Sequence, residues 1–109
     1  MDIINSQYLF KTILVIIMEL SGSTIVSINK NYVYCKVEDE MVLLGIEDEI
    51  YYGLNSVGAF IWEEIKKPKT IDEIKTAILA EYDVQNSECE QDLYDLLKQL
   101  AANGLIDVR

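Results

Sequence analysis

An aromatic strand signal passes straight into a helix signal across Gly53-Leu54-Asn55, and this junction constrains the chain more than any other feature. On its N-terminal side, Ile50-Tyr51-Tyr52 carries the β-branched and aromatic side chains that suit a pleated, half-buried surface. On its C-terminal side, Asn55 or Ser56 supplies an N-cap, and Val57, Phe60, Ile61 and Ile65 recur at helical spacing. No nucleophile, base or ligand cluster is gathered there. A sheet edge that ends against a helix start is a place to hold a peptide, so the segment favours recognition over chemistry.

The residues before the junction read as strands. Thr24 to Ile28 looks extended, and Tyr32-Val33-Tyr34-Cys35-Lys36-Val37 alternates with period two. Met41 to Ile46 is a continuous apolar run of strand length, which suits the centre of a sheet, and Ile50 to Leu54 returns as a third strand. The acidic turns Glu38-Asp39-Glu40 and Glu47-Asp48-Glu49 separate these runs, so an antiparallel meander is expected.

Three helices are expected after it. The first carries Lys66-Lys67 in its last turn and is stopped by Pro68. The second opens on the capping box Thr70-Ile71-Asp72-Glu73 and lines up Ile71, Ile74, Ile78, Leu79 and Tyr82. The third opens on a further capping box, Ser87-Glu88-Cys89-Glu90, and its stripe is Cys89, Leu93, Leu96, Leu97 and Leu100. Asn103-Gly104 ends it, and Leu105 to Val108 folds back as an apolar tail. The expected class is α+β, a three-stranded antiparallel sheet followed by three helices in a winged helix-turn-helix-like arrangement.

Charge narrows the partners. The 109 residues hold 9 basic and 19 acidic side chains, a net charge of -10, which repels phosphate backbones and anionic membranes. Histidine is absent, which removes the commonest general base and metal ligand, and no metal site, cofactor site or catalytic constellation is expected. Cys35 and Cys89 are isolated and belong to no Cys-x-x-Cys motif, a pattern that fits a reducing cytoplasm.

Residues 1–20 form an apolar N-terminal extension, and residues 21–109 form the domain. The run Tyr8 to Met18 is interrupted by Lys11 and is shorter than the ~20 apolar residues a membrane span needs. It reads as a buried helix or an extra strand, and Met18 is an alternative start. Its β-branched part, Thr12 to Met18, suits pairing with an open sheet edge of the same or a second copy, which would give a homodimer.

Gly45-x4-Ile50-Tyr51-Tyr52-Gly53-Leu54-Asn55-Ser56-Val57-Gly58-Ala59-x-Ile61-Trp62, followed by Thr70-Ile71-x2-Ile74, Tyr82-Asp83-Val84 and Asp92-x4-Leu97-x2-Leu100-x3-Gly104-Leu105-Ile106, resembles the PqqD-like proteins. These are stand-alone recognition elements that bind the leader peptides of ribosomally made, modified peptides. The resemblance spans about residues 32 to 108, and the Tyr-Tyr-x-Leu-Asn form is most similar to the leader-binding protein of lasso-peptide clusters. It implies a non-enzymatic role, with a precursor leader peptide as ligand and a separate cysteine protease, with a cyclase, as partners. It also implies that the leader adds as a strand to Ile50–Leu54 and sends apolar side chains, including an aromatic ring and a proline, into a groove beside the third helix.

The site residues expected on that basis are Glu49, Ile50, Tyr51, Tyr52, Gly53 and Leu54 on the strand, and Asp92, Leu93, Tyr94, Leu97 and Leu100 on the helix. Strand parity puts Ile50, Tyr52 and Leu54 toward the helices, with Tyr51 and Gly53 opposite. Acidic flanks at Glu47 to Glu49 and at Asp92 and Asp95 favour a leader with Lys or Arg, and hence salt-weakened binding. Each feature also has a plain structural meaning: the leucine stripe suits core packing, the tyrosines suit a strand, and Trp62 suits a core anchor. Two other readings compete with it. A winged-helix DNA-binding regulator needs a basic recognition helix, yet no basic residue lies between Lys75 and Lys98. An oligomerising structural or assembly protein would use the apolar N-terminal segment.

Overall fold

The computed structural model describes residues 20–29, 32–47 and 49–109. All of the N-terminal extension but Leu20, with Tyr8 to Met18 within it, and any dimer built through it lie outside the described residues. So do Lys30, Asn31 and Asp48.

The described chain runs β1 (Ile25–Ile28), β2 (Tyr32–Val37), β3 (Glu40–Gly45), β4 (Tyr51–Leu54), α1 (Ser56–Glu64), β5 (Lys69–Thr70), α2 (Ile71–Glu81), α3 (Asn86–Ala102) and β6 (Ile106–Val108). The α+β class holds, with the strands in two antiparallel sheets ordered β5-β1-β6 and β2-β3-β4. The second sheet is the expected meander, with the apolar run 41–46 supplying its central strand. The first sheet is where the layout departs from three strands followed by three helices. Val26 pairs with Val108 and Ile25 with Thr70, so the apolar tail and the residues before α2 become strands on either side of β1. Reciprocal backbone hydrogen bonds between Ile25 and Arg109 (3.1 and 2.9 Å) extend this pairing.

One core joins the layers. Val26 from β1, Met41 and Leu43 from β3, Trp62 and Ile65 from α1 and its end, Ile74 from α2 and Leu97 from α3 all lose their exposure to water. Trp62 is the anchor its position suggests, fully buried with Tyr34 edge-on at 6.4 Å.

The helix ends follow local chemistry with two corrections. Asn55 caps α1, its side-chain oxygen accepting from the Gly58 N–H at 2.9 Å, and the Thr70 to Glu73 capping box on α2 is complete. The α3 box does not form. The helix begins one residue before Ser87, at Asn86, with Gln85 as a cap that makes no side-chain hydrogen bond. Nor do Lys66 and Lys67 lie in the last turn of α1, which closes at Glu64. Lys66 instead pairs with Glu63 at 2.8 Å and sits 4.9 Å over the Tyr34 ring, where an ion pair and a ring face replace the helix dipole as its partner.

Candidate functional site

Among the described residues, β4 lies at the edge of its sheet, paired with β3 on one side only. Gly45 N–H donates to the Ile50 carbonyl at 3.0 Å. Antiparallel alternation then turns the main-chain groups of Tyr52 and Leu54 toward β3 and those of Tyr51 and Gly53 toward the free edge. The side chains alternate with them: Leu54 is buried, Tyr52 half-buried, and Tyr51 and Gly53 exposed. Ile50 is 48% exposed, an unusual condition for so large an apolar side chain, and stands beside Tyr52 at the open edge.

Tyr52 meets Tyr32 edge to face at 6.3 Å, and the Tyr32 hydroxyl donates to the Asn103 carbonyl at 3.1 Å. That link ties β2 to the end of α3. Where β4 runs into α1, a cavity of about 380 Å³ opens between the first turns of α1 and the N-terminal half of α3. Val57, Gly58 and Ile61 form one wall, Cys89, Leu93 and Leu96 another, and Asn55, Glu88 and Asp92 are its polar lining. On the other side of Asn55 lies a second cleft, lined by Glu38, Asp39, Glu40 and Ser56, so the end of β4 is bordered by carboxylates.

The strand residues expected at the site all lie on this edge or, for Glu49, at its approach. Glu49 is exposed and holds a left-handed φ of +57° in the turn before β4. The helix residues divide. Leu93, Leu97 and Leu100 are core side chains at 5% exposure or less, and only Leu93 also lines the cavity. Asp92 is exposed and lines it too. Tyr94 lies elsewhere, half-buried near Glu90 and Asp72 on the α2 side of α3, where burial and then Glu90 push its phenol up. Leu96 and Glu88 belong to the cavity and were left out of the expected set. The spacing Glu88, Asp92, Leu96 puts all three on one flank of α3, a signal that the fully apolar stripe next to it outweighed.

The opposite face of the meander is also apolar. Val33 and Val37 on β2 and Tyr51 on β4 are 50%, 56% and 71% exposed, beside half-buried Val42 and Leu44 on β3. Lys36 turns the other way, to Glu63 at 3.3 Å. Cys35 stands exposed on this face, whereas burial raises the Cys89 thiol above its ordinary range despite its place near the start of α3.

Fold and edge together define a small α+β module in which, among the described residues, β4 has one strand neighbour and a mainly apolar cavity lies between α1 and α3 where that strand ends. The family described as coenzyme PQQ synthesis protein D (PqqD) matches residues 40–106, and the chain belongs to it. A solved structure of TbiB1 in complex with the TbiA(beta) leader peptide is 38% identical, covering 74% of this chain and 94% of that one with a TM-score of 0.70. A lasso peptide synthetase B1 complexed with its leader peptide shares the fold at 22% identity, covering 75% and 96% with a TM-score of 0.67. No curated protein sequence matches.

Proposed function

We propose that this chain is a lasso-type recognition element: a non-enzymatic protein that binds the leader of a ribosomally made precursor and presents it for processing. The observation that carries this reading is the β4 edge, which has no second strand partner among the described residues, in a chain 38% identical to a protein solved with a leader peptide. The leader would add to β4 as a fourth strand, using the outward main-chain groups of Tyr51 and Gly53, and lay alternate side chains against Tyr52 and the α3 flank. Residues 21–109 act as the binding unit.

Presentation needs a second surface, because a strand-bound leader occupies the edge and leaves the sheet face free. The apolar outer face around Val33, Leu44 and Tyr51 suits a separate leader protease, a cysteine protease working ahead of a cyclase. Holding the leader next to that enzyme raises its effective concentration without any chemistry by this chain. Among the described residues no helix is long and apolar enough to cross a membrane.

The test is fluorescence polarisation with labelled leaders from short precursor genes beside this one, and with the TbiA(beta) leader as comparison. Saturable binding is expected, weakened by rising salt because carboxylates border the site. Gly53→Pro is the decisive variant: it removes an outward N–H at a position where an added Cβ meets nothing within 4 Å. A loss of more than about tenfold with an unchanged circular dichroism spectrum supports strand addition. Unaltered affinity rejects it. Leu97→Ala is unsuitable as a site probe, since Leu97 is fully buried and its truncation would test packing.

A further inference from the structure

The meander has a second edge. β2 pairs with β3 on one side, and among the described residues no strand pairs with the other. At six residues it is longer than β4. Gly45 directs its N–H toward the β4 side, so alternation turns the main-chain groups of Leu44, Val42 and Glu40 toward β2. Their partners Val33, Cys35 and Val37 answer them, which leaves the N–H and carbonyl groups of Tyr34 and Lys36 directed away from the sheet.

A helix stands beside this edge. Tyr34 meets Trp62 of α1 at 6.4 Å, Lys36 reaches Glu63 at 3.3 Å, and Lys66, just past the helix end, lies 4.9 Å over the Tyr34 ring. A strand added to β2 would therefore find two unlike environments for its alternate side chains. On the outer side they would lie beside Val33, Cys35 and Val37, all exposed and none charged. On the helix side they would lie beside Tyr34, 43% exposed, and the ammonium groups of Lys36 and Lys66. Those two lysines share one carboxylate, Glu63, and exposed Lys67 follows them, so this corner is positive on a chain of net charge -10.

Charge selects the occupant. A second copy of the chain would bring two positive corners together, and edge lysines are a common guard against such self-pairing. The apolar run Thr12 to Met18 carries no carboxylate to offer. We infer that the outer edge of β2 is a second strand-addition site, which takes an extended segment of a separate partner protein in which apolar residues alternate with Asp or Glu. The segment's main chain pairs with Tyr34 and Lys36, its carboxylates meet Lys36 and Lys66, and its apolar side chains continue the outer face. Because β3 separates the two edges, a leader on β4 and a partner segment on β2 can be held at once. The inference stands apart from leader binding and fails separately from it.

The probe is a fluorescein-labelled synthetic peptide alternating valine with glutamate, titrated against the full chain by fluorescence polarisation. Two controls accompany it: a peptide alternating valine with lysine, and one of the same composition as the probe with its valines and glutamates in separate blocks. Saturable binding is expected for the alternating glutamate peptide alone. The double variant Lys36→Glu, Lys66→Glu should weaken it at least about tenfold, the sum of two exposed charge pairs turned from attraction to repulsion. Leader affinity should stay unchanged. No saturable binding, equal binding of either control, or a double variant that binds the probe as tightly as the parent overturns the proposal.

A second measurement needs no substitution. Amide hydrogen exchange of the unaltered protein is followed residue by residue by nuclear magnetic resonance. Saturating probe should slow the Tyr34 and Lys36 amides at least about tenfold and leave those of Tyr51 and Gly53 as they were. Protection at Tyr51 and Gly53 in place of Tyr34 and Lys36 would put the probe on the β4 edge and overturn the β2 site, leaving leader binding intact. A leader that protects Tyr34 and Lys36 in place of Tyr51 and Gly53 would overturn both readings.

Discussion

In the sheet β5-β1-β6 the central strand is held between two short partners, whereas β2-β3-β4 leaves a four-residue strand at its edge with, among the described residues, a strand partner on one side only. The first sheet has edges of two and three residues, too short to recruit another chain, and its centre is fully buried Val26. The second exposes apolar side chains on its outer face and main-chain groups along β4. The same secondary structure thus serves closure in one place and presentation in the other. If the leader adds to β4 as proposed, function here follows from what the second sheet leaves without a strand partner.

Substitutions should separate the two roles, and the largest effect belongs to the closed sheet. Val26→Asp buries a carboxylate where no partner is at hand, and we expect loss of the cooperative thermal transition by circular dichroism. In the open sheet, Gly53→Pro should cost more than about tenfold in leader affinity with an unchanged melting curve. If it lowers the melting temperature as Val26→Asp does, the edge is structural and the comparison fails. Val33→Glu, on the outer face, should keep leader affinity and slow leader removal by the proposed leader protease, measured by chromatography of the cleaved precursor. Equal cleavage rates would remove that face from the presentation role.

Smaller effects belong to the closed side. Thr70→Ala breaks the α2 capping box next to β5 and should cost about 1 kcal/mol in urea denaturation, with leader affinity unchanged. Least of all is an acid effect at Glu63. The hydrogen bond from Lys66, ahead of that from Lys36, holds its carboxyl below its ordinary value of 4.5. Its ion pairs therefore stabilise the fold above that value and lose their contribution as falling pH protonates the group. Since Lys66 and Lys36 are solvent-exposed, the difference between Glu63→Gln and the parent should be only about 0.5 kcal/mol at neutral pH and should vanish under acid.

Much of the meander was legible in the sequence because its determinants are local: alternation in 32–37, an apolar run in 41–46 and short acidic turns between strands. β6 was read as a tail because its partner, β1, lies at the far end of the domain, and three residues of Ile-Asp-Val carry no periodicity to announce a strand. The α3 start was misplaced because Ser87 and Glu90 form a convincing local pair, yet the helix is extended one residue past them at Asn86. At the site, the strand was named from its own residues, whereas the α3 flank depends on how the helix is rotated against β4. Tyr32 reaching the Asn103 carbonyl ties the end of α3 to the meander, a contact between distant residues that no window of sequence displays.

The pairing of Val26 with Val108 also bears on the order of events during synthesis. The meander can assemble from neighbouring residues as they emerge, whereas β1 must wait for nearly the whole domain before β6 closes on it. Pairings of such sequence separation are slow to form. Because β6 follows directly from the α3 cap at Asn103 and Gly104, the helix would take its final place late. A ribosome-bound chain would then display a sheet edge well before it possessed a groove.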